Sequence, residues 1–178
     1  MTKNEIISKL NKNVSDFTDT CRQMEDAVFF SRREEKWSPA ENTNHLMLAA
    51  TPLIFAFIMP RFILGLLFGK PNRPPRSYEA TLDKYNNKLL EGGKASAPYV
   101  PKTINSKTDV AGLINDFNKI YKRLVLKFDK WKDMDLDNYL LPHPLLGKLT
   151  LREMMYFTTF HIEHHHKAVK KYMKVETV

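Results

Sequence analysis

The chain has 178 residues, of which 43% are hydrophobic, and this is enough to build a sizeable core in a single domain over residues 1–178. The net charge is +8, but lysine and arginine are interleaved with acidic residues as on solvated helix faces, so we expect no nucleic-acid partner. The single cysteine, Cys21, excludes an internal disulfide and a cysteine-rich zinc site.

The N-terminal segment predicts an amphipathic helix and lacks the apolar stretch of a secretory signal, so we expect a cytoplasmic protein. Thr2 and Glu5 have the spacing of a capping box at the helix start. Apolar residues then recur at steps of three and four, which is typical of a bundle helix from about Lys3 to about Arg33. This stripe consists of Ile7, Leu10, Val14, Phe17, Cys21, Met24 and Val28. Because Cys21 lies on the stripe, we expect a buried and unreactive thiol.

A second helix is predicted to begin at Pro39. Ser38, Pro39 and Glu41 supply in order an N-cap residue, a first-turn proline and the acidic residue of a capping box. His45 follows in the second turn, on an apolar face, where a histidine is more often an ordinary core residue than a metal ligand. Glu41 lies one turn before His45. We therefore predict that its carboxylate orients the imidazole, as ligand histidines commonly require.

Residues 52–68 (PLIFAFIMPRFILGLLF) are the most apolar part of the chain. The segment is at the short end for a membrane span, and Pro60 and Arg61 lie at its centre, so we expect no transmembrane helix. We expect a buried helix end followed by a short apolar segment that covers the core or forms a subunit contact. Burial in a homodimer would account for its hydrophobicity. The alternative is attachment of this segment to a membrane surface.

Residues 69–108 differ in character, with prolines and glycines at both ends and a short predicted helix near Tyr78 to Leu90. We interpret the segment as a long crossover connection, of a kind that covers a bundle end or the mouth of a site. A third bundle helix follows it. Its apolar face consists of Val110, Leu113, Phe117, Ile120, Leu124, Phe128 and Trp131.

The last helix contains the pair His161 and His165. Thr150 and Glu153 form the capping box that begins this helix. Residues at i and i+4 share one helix face, so the two imidazoles can chelate one metal ion. The pair lies on an inward stripe, where buried imidazoles need hydrogen bonds or a metal. That stripe consists of Met154, Thr158, His161, His165, Ala168 and Tyr172.

A third ligand must come from elsewhere in the chain, and His45, in the second predicted helix, is the leading candidate. Three histidine ligands leave a fourth tetrahedral position open, which is typical of a catalytic zinc site. His143 is a further candidate near the site because its loop leads into the last helix, although a turn that only sets the helix start fits equally well. We expect His164 and His166, which lie off the stripe, at solvent or at a neighbouring helix. The alternative for the whole histidine run is a surface metal-binding tract.

Three motifs resemble those of the DinB-like proteins. They are W-S-P-A-E-x-x-x-H-L at residues 37–46, H-P-x-x-G-K-L-T-L-R-E at residues 143–153 and H-x-x-H-H at residues 161–165. The chain is similar, from residue 37 to residue 169, to the branch related to the bacillithiol transferases and damage-inducible proteins of bacteria. The resemblance implies an all-α four-helix bundle with a long crossover connection between helices 2 and 3.

The same resemblance implies a divalent metal ion, zinc or nickel, held by His45, His161 and His165. It also implies transfer of a low-molecular-weight thiol to an electrophile, or metal-dependent hydrolysis. Our first hypothesis is therefore a divalent-metal-dependent enzyme of the thiol-transferase or hydrolase type that acts on a small-molecule substrate. The second is a non-catalytic metal-binding or interaction bundle, in which the ion joins the second helix to the last. A fourth protein ligand would favour the second hypothesis.

Overall fold

The computed structural model describes residues 1–104 and 109–173. The helices in these residues are α1 (Lys3–Arg22), α2 (Asp26–Phe30), α3 (Pro39–Ile58), α4 (Arg61–Phe68), α5 (Tyr78–Leu90), α6 (Val110–Phe128) and α7 (Leu151–Met173). Strands β1 (Leu140–His143) and β2 (Gly147–Thr150) form an antiparallel hairpin between α6 and α7. The predicted end of the crossover, at residues 105–108, lies outside the described residues. The single domain over residues 1–178 therefore stays a prediction.

Four long helices, α1, α3, α6 and α7, form the bundle. Helix α3 packs against α6 and α7, and α1 packs against the same two helices. The order around the bundle is therefore α1, α7, α3, α6, so that α1 and α3 occupy diagonal corners. In a simple up-down-up-down bundle, consecutive helices are neighbours. The predicted all-α four-helix bundle is confirmed, and its long crossover connects the second and third long helices, α3 and α6.

The three predicted helix starts are confirmed by their caps. The Ser38 hydroxyl accepts the N–H of Glu41, and the Glu41 carboxylate accepts the N–H of Ser38, so α3 begins at Pro39. Thr2 and Glu5 make the same reciprocal pair at α1. Thr150 and Glu153 make it at α7. Each cap satisfies backbone donors that a helix start leaves unpaired, which stabilises it by about 1 kcal/mol.

The first helix is shorter than predicted. It ends at Arg22, and the separate short helix α2 follows, so the prediction that it continues to about Arg33 is wrong. Met24 and Phe29 remain buried across the break. The apolar spacing continues past the end of α1 because side chains that face the core are apolar whether or not the helix is continuous. Glu34, with φ of 56°, then lies in a tight turn that returns the chain to the start of α3.

Residues 52–68 form the end of α3 and all of α4. The two helices are bent by 118° at their junction. Among the described residues, no single helix is long and apolar enough to cross a membrane, and this bent pair meets the criterion by length and composition alone. Leu53, Phe57 and Leu64 are buried. The apolar patch, as we name it, comprises the exposed side chains of Phe55, Ile58, Phe62, Leu66 and Leu67.

The crossover is held against the start of α7 by Glu153. Arg73 donates to both carboxylate oxygens at 2.7 Å, and the backbone N–H of Arg76 donates to one of them at 2.6 Å. The carboxylate also accepts the N–H of Thr150, whose hydroxyl accepts the N–H of Glu153 and completes the cap. Helix α5 packs on α7 directly after this anchor. The anchor therefore determines where the crossover covers the bundle.

Candidate metal centre

His45 from α3 meets His161 and His165 from α7 in the core of the bundle. The Nε2 atoms of His45 and His165 each lie 3.0 Å from Nε2 of His161. All three side chains are buried, and their ligand atoms lie within 4.8 Å of one another. The fold thus brings together the three histidines that the sequence predicts as ligands, although they come from helices more than 100 residues apart in the chain.

The outer nitrogen of two of these rings is held by a hydrogen-bond acceptor. His45 Nδ1 lies 2.6 Å from the backbone oxygen of Tyr99, which can only accept, so Nδ1 carries the proton. His165 Nδ1 lies 2.6 Å from Oδ1 of Asn42. The amide nitrogen of Asn42 donates to two backbone carbonyls at the start of α3, which leaves its oxygen to accept. Both rings therefore present an Nε2 lone pair to His161.

The geometry around His161 fits a cation. Burial lowers the pKa of His161 and of His165 well below the ordinary value, and the neighbouring imidazoles lower it further, so the rings are neutral. Burial also lowers the pKa of His45, against the opposing effect of its bond to Tyr99. Neutral His161 has at most one Nε2 proton to donate, and the other 3.0 Å contact then joins two lone pairs. A divalent ion would satisfy all three, and imidazole donors suit zinc or nickel.

Glu41 has a different role from the predicted one. Both its carboxylate oxygens accept Nε–H of Arg32 at 2.8 Å, and one accepts the N–H of Ser38. A carboxylate in a capping box points back toward the helix start, and so away from His45 in the next turn. Among the described residues, the partner of His45 Nδ1 is the carbonyl of Tyr99 in the crossover. The prediction that Glu41 orients His45 is therefore wrong.

Asn42 and Tyr99 are the residues that sequence reasoning missed. Asn42 could have been found from the sequence, because it is a polar residue on the buried face of α3, one turn before His45 and Leu46. Tyr99 could not have been found in this way, because it contributes a backbone carbonyl, which every residue has. Only the path of the crossover decides which carbonyl reaches the histidine.

The three histidines line a cavity of about 610 Å³. Its wall is formed by α3, α5, the crossover loop, the hairpin and α7, and it is mainly apolar. Representative lining residues are Leu53, Met59, Tyr85, Leu89, Leu145 and Met154. Among the described residues of this wall there is no carboxylate, and Lys94 is its one lysine. The cavity thus suits an apolar molecule that reaches the histidine cluster.

The other histidines divide between this cavity and the bundle surface. His143, in the hairpin, lines the cavity and also builds its own turn, so both predicted roles have a structural basis. His164 also lines the cavity, with its ring centroid 5.1 Å from that of His165. It also packs on α5, with its ring centroid 5.9 Å from that of Tyr85, so it meets a neighbouring helix as expected. His166 contacts the hydroxyl of Thr20 on the neighbouring helix α1. The surface-tract alternative fails for His161 and His165, which are buried.

Replacing Asn42 with leucine is expected to weaken metal binding. The change keeps the size of the side chain but removes the acceptor that holds Nδ1–H of His165, and loss of such a supporting bond typically lowers metal affinity about 10- to 100-fold. The same substitution at half-buried Asn44, in the same helix, is the matched control. Competition with a chromophoric chelator measures both affinities. Equal zinc affinity in the two variants would contradict the role of Asn42.

These features define a class, a four-helix bundle with a three-histidine cluster joining its second and last long helices. The family model of the DinB superfamily matches residues 9–169, and the chain belongs to this superfamily. No curated protein matches the chain significantly. Several solved structures share its fold.

TT2238, a four-helix bundle protein, is 14% identical with a TM-score of 0.61, over 96% of this chain and 99% of that chain. YfiT from Bacillus subtilis is described as a probable metal-dependent hydrolase with an unusual four-helix bundle topology. It is 19% identical with a TM-score of 0.60, over 97% of this chain and 86% of that one. The colibactin self-resistance protein ClbS, solved with double-stranded DNA, is 13% identical with a TM-score of 0.57, over 97% and 96%. At these identities the similarity establishes the fold alone.

Proposed function

We propose that His45, His161 and His165 hold one divalent ion, zinc or nickel, and that the protein is a metal-dependent enzyme that acts on a small molecule. The observation that carries the proposal is the convergence of three Nε2 atoms, with too few protons to pair them, on the wall of a large apolar cavity. Three protein ligands leave a coordination position free for a reactant. When bound, such an ion supplies Lewis acidity that favours an ionised water or thiol at neutral pH.

The chain's own residues determine which reactant suits the site. The apolar wall binds the carbon skeleton of a substrate and excludes water from it. Trp37 packs beside two of the histidines, with its ring centroid 4.8 Å from that of His45 and 6.2 Å from that of His165, and thus shields them from one side. The Asn42 and Tyr99 oxygens keep the Nδ1 protons in place, so that the Nε2 atoms stay available as ligands.

The two candidate reactions are metal-dependent hydrolysis and thiol transfer, and the residues of the cavity wall favour thiol transfer. Hydrolysis is supported by the similarity to YfiT, but activation of water normally uses a nearby general base, and this would have to be a histidine such as His164, because the described lining contains no carboxylate. An ionised thiol is already a strong nucleophile and needs no base. We therefore place transfer of a low-molecular-weight thiol to an apolar electrophile first. Such thiols are kept reduced in the cytoplasm, so the proposal includes a bacterial cytoplasmic location.

A paired assay tests the reaction type. Zinc-loaded protein is mixed with glutathione or cysteine and monobromobimane, and separately with 4-nitrophenyl acetate, each with and without a chelator. We expect chelator-sensitive acceleration of the thiol reaction, restored by added zinc. Acceleration of ester hydrolysis alone would reassign the protein as a hydrolase. With zinc bound and neither reaction accelerated across a panel of thiols, the non-catalytic metal-binding bundle becomes the better description.

We further propose that the apolar patch is covered by a second copy of this chain. Phe62 and Leu66 are 75% and 81% exposed on α4, and Phe55 and Ile58 are exposed near the end of α3, which directly precedes α4 in the chain. An apolar surface is complementary to itself, and a twofold dimer pairs each patch with its equivalent. Exposed apolar patches are typical of protein-interaction sites.

The Leu66→Glu variant is expected to be monomeric where the wild-type protein is a dimer, because a carboxylate at the centre of the contact would lose its hydration without gaining a partner. Sedimentation velocity over a concentration series measures the mass of each form. Leu90→Glu is the matched control, since Leu90 is 87% exposed at the end of α5 and lies outside the patch. A monomeric wild-type protein throughout the series would contradict the dimer.

The absence of a nucleic-acid partner stays a prediction. It rests on the interleaving of acidic and basic residues along the chain. The net charge of +8 and the presence of DNA in the ClbS structure are the observations on the other side.

A further inference from the structure

His143 has a fixed pattern of hydrogen bonds in the hairpin loop. Its Nδ1 atom accepts the backbone N–H of Leu145 at 3.2 Å and that of Leu146 at 3.1 Å. A ring nitrogen that accepts two N–H groups cannot carry a proton, so a neutral imidazole here must carry its proton on Nε2. The side-chain amine of Lys84 donates to the carbonyl of Leu146 at 2.6 Å and holds the loop that sets this tautomer.

The ring of His143 lies beside the histidine cluster in the cavity wall. Its centroid is 4.2 Å from that of Phe157, which stacks in turn on His161 at 4.8 Å, so a single aromatic ring separates the two histidines. Burial lowers the pKa of His143 to about 4, with a further contribution from the charge of Lys84, and the ring is therefore neutral at pH 7. The described residues supply partners for Nδ1 and none for Nε2.

We propose that Nε2–H of His143 donates a hydrogen bond to an oxygen atom of the substrate, and that the substrate is consequently an apolar molecule with a carbonyl or a similar oxygen acceptor. The inference rests on the proposed function in one respect, that the cavity is the substrate site. The turn needs only Nδ1, so Nε2–H is left to donate to a molecule that enters the cavity. A neutral, fixed donor is suited to an oxygen that gains negative charge as a nucleophile adds to the adjacent carbon.

The tautomer can be measured without any knowledge of the reaction. Long-range 1H–15N spectra of the 15N-histidine-labelled protein at pH 7 report the protonation of both ring nitrogens, and the signal that disappears in His143→Asn belongs to His143. If that variant does not fold, His143→Gln makes the assignment. We expect a neutral ring with its proton on Nε2. A ring protonated at Nδ1, a mixture of tautomers or a charged ring would overturn the proposal.

Two probes that differ by one oxygen test the donor itself, 2-acetylnaphthalene and 2-ethylnaphthalene, with binding followed by naphthalene fluorescence. Asparagine keeps an acceptor for the turn but is too short to replace Nε2–H, whereas glutamine places an amide N–H near that position and loses the acceptor. We expect the affinity ratio of ketone to hydrocarbon to fall about fivefold in His143→Asn, the factor for one net hydrogen bond. His143→Gln should retain most of the ratio. An unchanged ratio in His143→Asn, or a ratio lost only in His143→Gln, would overturn the proposal.

The same ratio is measured in zinc-loaded protein and in metal-free His45→Ala. Because probe binding needs neither turnover nor an ion, failure of the enzyme proposal leaves this measurement intact. A ketone preference that survives in the metal-free variant supports His143 as the donor. A preference that disappears with the metal would assign the carbonyl contact to the ion and overturn the role of His143.

Discussion

The His161→Ala variant is expected to lose stoichiometric metal binding, whereas the wild-type protein retains about one zinc or nickel ion per chain after dialysis. His161 is the central ligand, since its Nε2 lies 3.0 Å from Nε2 of both other histidines. Its removal leaves two imidazoles on different helices. The effect should exceed the roughly 10- to 100-fold loss of affinity that removal of a supporting hydrogen bond causes.

His166→Ala is the matched control for this experiment. His166 is in the same helix, but its ring contacts Thr20 on α1 and lies away from the cluster. Elemental analysis gives the stoichiometry, and thermal unfolding with added zinc gives a second readout, because a ligand at 100 times its Kd stabilises a protein by about 2.7 kcal/mol. We expect this stabilisation in the wild-type protein and in His166→Ala. Undiminished metal content in both His161→Ala and His45→Ala would refute the three-histidine site.

The second large effect is expected for Glu153→Gln, which should destabilise the protein by about 3 kcal/mol. Glu153 is fully buried, and its carboxylate accepts hydrogen bonds from Arg73, Arg76 and Thr150. Glutamine has one acceptor oxygen in place of two, so its amide N–H groups would face donors that the carboxylate now accepts, and a buried polar group left unsatisfied costs about 1–3 kcal/mol. Glu91→Gln changes the same chemistry in an exposed pair with Lys88, where a loss below about 1 kcal/mol is expected. Urea unfolding compares the three proteins.

The destabilisation should depend on pH in a defined direction. Burial alone would raise the pKa of Glu153, but the bonds from Arg73, Arg76 and Thr150 outweigh it and lower the pKa below the ordinary value of 4.5. A lowered pKa in the folded state stabilises the protein above the unfolded-state pKa, and this contribution is lost as the pH falls through the folded-state pKa. The difference between the wild-type protein and Glu153→Gln should therefore be largest near neutral pH and shrink below about pH 4.5. A difference that is constant from pH 7 to pH 3 would argue against the ionised carboxylate as its source.

Glu153 also links stability to the site. It anchors the crossover at Arg73 and Arg76, and the same crossover continues through α5 to Tyr99, whose carbonyl holds His45. The crossover therefore contributes both a wall of the cavity and one support of the cluster. This arrangement explains why a long connection, which usually only covers a bundle end, has structural consequences for the histidines.

Local sequence patterns were sufficient to predict helix starts, because the residues that cap a helix lie within a few positions of one another. The capping boxes predicted the starts of α1, α3 and α7, because the N-cap hydroxyl and the third-position carboxylate satisfy each other's backbone N–H without any tertiary contact. The short helix from Tyr78 to Leu90 was also predicted with its observed bounds. The end of α1 was not, because the apolar spacing continues through Met24 although the backbone has turned.

The sequence by itself determined the all-α class and the starts of α1, α3 and α7, because these depend on side-chain type and helical spacing, and it indicated the three histidines that the bundle brings together. Only the tertiary structure decided the diagonal placement of α1 and α3, the carbonyl of Tyr99 as the partner of His45 and the position of His164 in the cavity. Each of these depends on how the crossover lies across the bundle. Backbone groups and loop paths have no residue signature, so the supports of the site become visible only when the chain is folded.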